Sequence, residues 1–289
     1  MWGACWLYQG QTATGRDAGE LAQVLLLQQA KQELPGPMPS FLSDGITIAY
    51  EVFGEGEPVL LIHGFGSSGF INWVATGWVE ALNKAGYQAI TIDDRGHGQS
   101  EKLYDPNDYY PTLMAADAER LLDHLGIERA FVIGYSMGAR ITAFLALKSP
   151  QRVRAAVLGG MGMNLINGLS DSREIIDGLN AEKLSDVTHP TGRQFRIFAD
   201  HSKADRQALA ACMSTSRQPM VIEDVRKIAM PVLVAVGEAD DMAGSPEELA
   251  RILPHGEAFV IPRRNHMLAT GDAKFKEAAI AFLGKNALA

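Results

Sequence analysis

Residues Val132 to Arg140 read VIGYSMGAR, which sets a serine, Ser136, between two glycines directly after a strand-like stretch. A serine hydroxyl is a weak nucleophile at neutral pH, so chemistry there needs a base within hydrogen-bond reach and a carboxylate that orients the base. Both follow in the chain. GEADD places Asp240 three residues beyond Gly237 with Asp241 beside it, and PRRNHMLA puts His266 in the loop after the next strand pattern. Ser, then Asp, then His, each at the carboxyl end of a strand, is an arrangement that suits acyl transfer.

Each residue also has a plainer reading. Ser136 could be a small residue in a tight turn, and His266, one of seven histidines, a surface-loop residue. Position at successive strand ends argues for the chemical role, and the Gly-x-x-Asp spacing favours Asp240 over Asp241 as the orienting acid. Gly134 and Gly138 are expected where side chains would collide with the neighbouring strand and helix as the backbone turns.

Acyl transfer also needs donors for a tetrahedral oxyanion. HGFG, His63 to Gly66, follows a strand pattern, and the backbone N–H groups of Phe65 and Met137 are the candidate pair. His63 and His97 are expected to tie loop backbone in place and not to carry protons. Phe70 and Trp73 in GFINW, with Met161 and Met163 in MGMN, are candidates for a substrate pocket, ordinary core packing being the competing explanation. No H-x-x-x-H or Cys/His pair has ligand spacing, so no metal is expected.

The elements that must position these residues alternate. Strands are predicted at ITIAYEVFG, PVLLIHG, QAITIDD, RAFVIG, VRAAVLGG, PVLVAVG and EAFVIP. Helices are predicted at INWVATGWVEALNKAGY, TLMAADAERLLDHLG, Met137 to Lys148, SPEELARIL and DAKFKEAAIAFLGK. This alternation predicts an α/β chain with a mostly parallel central sheet and helices on both faces. From about 161 to 230 the rhythm gives way to short polar-faced helical patterns, expected as a helical cap inserted over the sheet. In residues 1–37 the stretch MWGACWLYQGQTATG has no strand or helix period, and LPGPMP, from Leu34, breaks any helix before it, so they are expected to be an extension outside a domain spanning 38–289.

Composition bounds the partners. The 289 residues are 47% hydrophobic and 21% charged, which marks an ordered chain with a sizeable core. The net charge of −8 disfavours nucleic acid. Cys5 and Cys212 form no disulfide framework, and no apolar run approaches the roughly 20 residues that cross a bilayer. The expectation is a soluble, cytoplasmic protein with a small-molecule substrate and no membrane span, its oligomeric state left open.

Taken together, LLIHGFG, DDRGHGQS, GYSMG, GEADD and NHM, in that order over about residues 41 to 285, resemble the α/β-hydrolase superfamily. The resemblance implies a Ser–His–Asp hydrolase without cofactor, with Ser136, His266 and Asp240 in those roles and a helical cap. It departs at Asn265, where glycine or aspartate often precedes the histidine. The implied function is esterase-like (EC 3.1) cleavage of a carboxylic ester or related acyl bond of a small, partly apolar substrate. C–C bond hydrolysis, thioester cleavage, haloperoxidase-like perhydrolysis and non-catalytic binding of a small ligand are the alternatives. Tyr135 stands where C–C hydrolases usually have asparagine, and a serine nucleophile weighs against haloalkane dehalogenase and epoxide hydrolase. A histidine base predicts activity rising with pH through about 6 to 7.

Overall fold

The computed structural model describes residues 36–168 and 171–287. Residues 1–35, most of the expected extension, lie outside the described residues. Eight strands form one sheet in the order β1-β2-β4-β3-β5-β6-β7-β8. These are β1 (Ser40–Ser43), β2 (Ile46–Phe53), β3 (Glu57–Ile62), β4 (Tyr87–Ile92), β5 (Ala130–Tyr135), β6 (Val153–Gly159), β7 (Val232–Gly237) and β8 (Gly256–Ile261). Only β1 with β2 and β2 with β4 pair antiparallel; from β4 to β8 every neighbour is parallel.

The first strand is absent from the sequence reading. Its hairpin to β2 turns at Asp44-Gly45, both with positive φ (53° and 83°), the left-handed pair that a two-residue hairpin requires. Asp-Gly between apolar residues was the available signal. The four-residue strand was too short to show a period.

Alternation along the central strands divides the core into two layers. On β3, Leu60 and Ile62 join one cluster with Met114, Leu121, Ile141 and Leu249, whereas Val59 and Leu61 join another with Trp78, Leu82, Phe275 and Phe282. Successive side chains point to opposite faces of a strand, so each of these runs feeds both layers. Helices α1 (Trp78–Lys84) and α11 (Ala273–Lys285) cover one face; α2 (Pro111–His124), α3 (Met137–Lys148) and α9 (Pro246–Ile252) cover the other. The end of α9 that enters from the loop is fixed by Ser245, whose hydroxyl accepts the Glu248 N–H at 3.2 Å.

The helix expected from Ile71 to its stop at Gly86 is two pieces. A π-helical turn, Phe70–Val74, ends before Gly77, whose φ of 76° no α-helix accommodates, and α1 starts at Trp78. Between β6 and β7 lie α4 (Asn164–Asn167), α5 (Ser172–Asn180), α6 (Pro190–Ser202), α7 (Arg206–Thr215) and α8 (Ile222–Val225), with no strand among the described residues of this insertion. Among the described residues no helix is long and apolar enough to cross a membrane.

Candidate active site

Ser136 sits at the junction of β5 and α3 with φ 54° and ψ −109°, a backbone conformation that non-glycine residues seldom adopt. Its N–H is held by the Gly159 carbonyl at 2.8 Å. Two glycines make the turn sterically feasible. A Cβ on Gly134 would lie 2.2 Å from the Gly138 carbonyl oxygen, and one on Gly138 would lie 2.0 Å from that of Ile62. Helix and strands therefore approach backbone to backbone, and the serine hydroxyl is raised over the carboxyl ends of the parallel strands.

His266 and Asp240 arrive from β8 and β7. The His266 Nε2 lies 3.0 Å from Ser136 Oγ, and its Nδ1 lies 2.7 Å from Asp240 Oδ2. Asp240 uses its other oxygen, Oδ1, to accept the N–H groups of Met242 and Ala243 at 2.9 and 3.0 Å. A carboxylate with that many donors is fixed in rotamer and presents one lone pair to the ring, so Nδ1 carries the hydrogen and Nε2 is left to accept one from the serine. Asn265 caps the short helix α10 (His266–Ala269) by accepting the Leu268 N–H at 3.0 Å, so the residue that departs from the resemblance still starts the turn holding the imidazole. Asp241 is exposed and lines an adjoining polar groove with Asp171, Gln194 and Arg217.

The HGFG loop is held from beneath. Gly64 donates its N–H to Asn72 Oδ1 at 2.7 Å, and His63 Nδ1 donates to the Gly64 carbonyl at 2.8 Å. The Asp94 N–H donates to His63 Nε2 at 3.0 Å, which fixes the tautomer as Nδ1–H because a carbonyl can only accept and an amide N–H can only donate. His97 Nδ1 likewise donates to the Arg95 carbonyl at 2.9 Å. Burial pushes His63 down to about 4 and His97 down to about 3, so both rings are neutral ties at neutral pH. Phe65, next in the loop, borders the cavity over Ser136, and Met137 is the first residue of α3, where a helix N–H has no intrahelical acceptor.

A cavity with an open mouth lies above Ser136, with about 70 Å³ of interior free to water-sized molecules. Ile71, Asn72, Tyr135, Phe195, Phe198 and Met267 contribute to its wall, and so does Arg217. None of the four pocket residues expected from sequence is in that wall. Trp73 is fully buried and packs edge to face on Trp78, ring centroids 5.5 Å apart, because the π-helical turn gives Ile71 and Asn72 to the cavity and Trp73 to the core. Met161 is buried in the opposite layer, its sulfur 3.9 Å from the Arg140 guanidinium, and half-buried Met163 packs on that same layer. Phe70, also half-buried, begins the π-helical turn outside the wall.

Several wall residues lay beyond sequence reasoning. Tyr135, adjacent to the serine, donates its hydroxyl to the His266 carbonyl, and burial, with Asp240 nearby, raises its pKa well above the phenol range. The insertion supplies Phe195, Phe198 and Arg217. A Cβ on Gly66 would meet the Phe198 ring at 3.1 Å, which shows how closely the insertion rests on the HGFG loop.

A family model described as alpha/beta hydrolase fold matches residues 57–177. A Synechocystis protein that carries the name of a non-heme chloroperoxidase is 39% identical over 251 residues, covering 77% of this chain and 89% of its own. The non-heme chloroperoxidase of Kitasatospora aureofaciens is 27% identical over 278 residues, covering 84% and 98%. Among solved structures, a hydrolase from Pseudomonas aeruginosa superposes with a TM-score of 0.71 at 25% identity, covering 87% of this chain and all of that one. With its parallel sheet, its serine turn and these relatives, the chain belongs to the α/β-hydrolase family.

Proposed function

We propose that this protein is a serine hydrolase that cleaves a carboxylic ester or related acyl bond of a small, partly apolar substrate. The observation that carries the reading is the continuous hydrogen-bonded path from Ser136 Oγ to His266 Nε2 (3.0 Å) and from Nδ1 to Asp240 Oδ2 (2.7 Å), opening on an apolar-walled cavity. Ser136 Oγ attacks the acyl carbon as His266 Nε2 takes its proton; Asp240 holds the ring and stabilises the imidazolium. The Phe65 and Met137 N–H groups receive the oxyanion. Collapse returns the proton to the leaving alcohol and leaves an acyl-Ser136 ester, which water, activated by the same imidazole, then cleaves.

The test is labelling by a fluorophosphonate, with Ser136→Ala as control, followed by hydrolysis of p-nitrophenyl esters of graded chain length. Labelling confined to the native serine and turnover of at least one ester support the reading. An unlabelled native protein with no turnover sinks it.

A second reading, perhydrolysis, draws on the 39% identity to the chloroperoxidase-named relative. Hydrogen peroxide in place of water would attack the same acyl-enzyme, releasing a peracid and restoring the serine hydroxyl. Bromination of monochlorodimedone in acetate, peroxide and bromide, lost in Ser136→Ala, distinguishes it from plain hydrolysis.

A further inference from the structure

We infer that Arg217 is an anion-binding residue of the cavity, and that the preferred substrate carries a carboxylate on an otherwise apolar body. This rests on the reading of Ser136 as the acylating nucleophile for the word substrate, though not for the binding itself.

The chain between α7 and α8 brings Arg217 to the wall of the cavity that also holds Ser136 and His266. Its neighbours there are chiefly apolar: Phe195, whose ring lies 5.8 Å below the guanidinium carbon, with Phe198, Ile71 and Met267. Among the described residues the guanidinium makes no hydrogen bond and no ion pair within 4 Å. Burial pushes it down to about 10, with Asp171 and Cys212 acting against that, so it remains a cation at neutral pH. A half-buried cation with unspent N–H donors is costly unless something accepts from it.

The neighbouring Arg140 makes the contrast. It lies in α3, one turn beyond Ser136, and is almost fully buried, yet it spends its donors on backbone. Its Nη1 donates to the carbonyls of Leu165 (3.0 Å) and Gln218 (2.8 Å), and its Nη2 to that of Asn164 (2.9 Å). Gln218 is the residue after Arg217, and Met220 N–H is held by the Leu165 carbonyl at 2.9 Å. One arginine thus pins the backbone that presents the other. Arg140 is saturated by the protein; Arg217 lies between the cavity and the polar groove, lining both, and among the described residues its planar fork of donors is left without an acceptor.

A planar fork of N–H donors matches a carboxylate bidentately. The surrounding phenyl and aliphatic walls exclude water from such a pair, which strengthens it. Asp171, the acid that acts on Arg217, lies in the polar groove that Arg217 lines on the other side of the wall, where the Asp171 Oδ2 accepts the Thr191 hydroxyl at 3.0 Å. A substrate carboxylate would therefore meet Arg217 on the side of the cavity that contains no acid other than Asp240 behind His266.

The test compares the mono-p-nitrophenyl ester of adipic acid with p-nitrophenyl hexanoate, which matches it in chain length and lacks the charge. In the native protein the anionic ester is expected to have at least tenfold higher kcat/KM. In Arg217→Gln the ratio of the two kcat/KM values is expected to fall by 10- to 100-fold, the range for a hydrogen-bonded charged group. Arg217→Met, which keeps the stem against Phe195, serves if the glutamine variant misfolds, and Arg217→Lys should restore part of the ratio. A loss of structure would lower both esters together and leave the ratio alone.

Calorimetric binding of adipate, which needs no turnover, runs beside it and should weaken by a similar factor in the same variants. Equal kcat/KM values for the two native reactions with no adipate binding would overturn the inference, as would a ratio unchanged in both charge-removing variants. No turnover of either ester with adipate still bound through Arg217 would remove the hydrolase reading and leave this one standing.

Discussion

Two histidine–aspartate pairs lie at the carboxyl ends of the strands, and they behave oppositely. In the pair His266–Asp240 the carboxylate meets ring Nδ1 at 2.7 Å while two backbone N–H groups occupy its other oxygen. In the pair His63–Asp94 the closest approach of ring nitrogen to carboxylate is 3.6 Å, the ring accepts the Asp94 backbone N–H instead, and the buried Asp94 Oδ2 has no hydrogen-bond partner among the described residues. Burial, aided by Asp117 and Asp93, raises the Asp94 carboxyl well above the usual carboxylate range, and burial lowers His63 to about 4. The same two residue types thus make a hydrogen-bonded relay near one edge of the sheet and a buried pair that rejects charge a few strands away. Donors to the carboxylate and an open Nε2 decide which, not the pairing itself.

Breaking each pair by the same change sharpens the contrast most. Asp240→Asn is expected to lower kcat for ester hydrolysis by about 10⁴-fold, since the imidazole loses the acceptor that sets its tautomer. Asp94→Asn is expected to stay within about threefold of native, because an amide replaces a carboxyl that burial already holds towards its neutral form. Steady-state kinetics on one p-nitrophenyl ester, with circular dichroism to verify folding, checks both. Comparable losses in the two variants would erase the distinction.

Acid unfolding probes the second pair from the other side. His63 is depressed in the fold, so the unfolded chain binds its proton first; the stability it contributes is present above about 6.5 and is lost as pH falls towards about 4. The loss for that ring is on the order of 3 kcal/mol, and His97 adds a loss of the same sign over a range extending to about 3. Urea midpoints measured between pH 7 and 4 should fall accordingly, and His63→Gln should flatten the slope. A native slope unaffected by that change would show that the ring is not the group taking up the proton.

The smallest expected effect concerns the serine turn. Ser136→Gly relieves a backbone conformation that costs a non-glycine residue about 1–3 kcal/mol, so the inactive variant should be more stable by about 1 kcal/mol after the entropic disadvantage of glycine is included. Thermal unfolding of Ser136→Gly against Ser136→Ala reads this directly. Equal midpoints would mean that the turn is unstrained.

Legibility in the sequence differed by element. Strands β3, β5 and β7 are continuous apolar runs bounded by glycine, and α3 runs from Met137 to Lys148, as its pattern and Pro150 require. β1 and the break at Gly77 were missed because a four-residue strand and a single left-handed residue leave almost no periodic trace. Asp240 was separable from Asp241 by its distance from Gly237, a local feature. Phe195, Phe198 and Arg217 come from the insertion, whose helices carry polar residues around apolar ones in patterns that do not say which face meets the sheet.

What the sequence determined by itself was the alternation of strands and helices, and with it the placement of Ser136, Asp240 and His266 at the ends of parallel strands. Strand periodicity, glycines at close approaches and chain order are local properties, and a parallel sheet converts them into a common edge. Tertiary structure decided the rest: that Trp73 and Met161 belong to the core while Ile71 and Asn72 line the cavity, and that Arg140 is saturated while Arg217, among the described residues, is not. Which side of a turn faces a cavity, and which of two arginines finds carbonyls, depends on how separate elements pack, and no spacing along the chain encodes it.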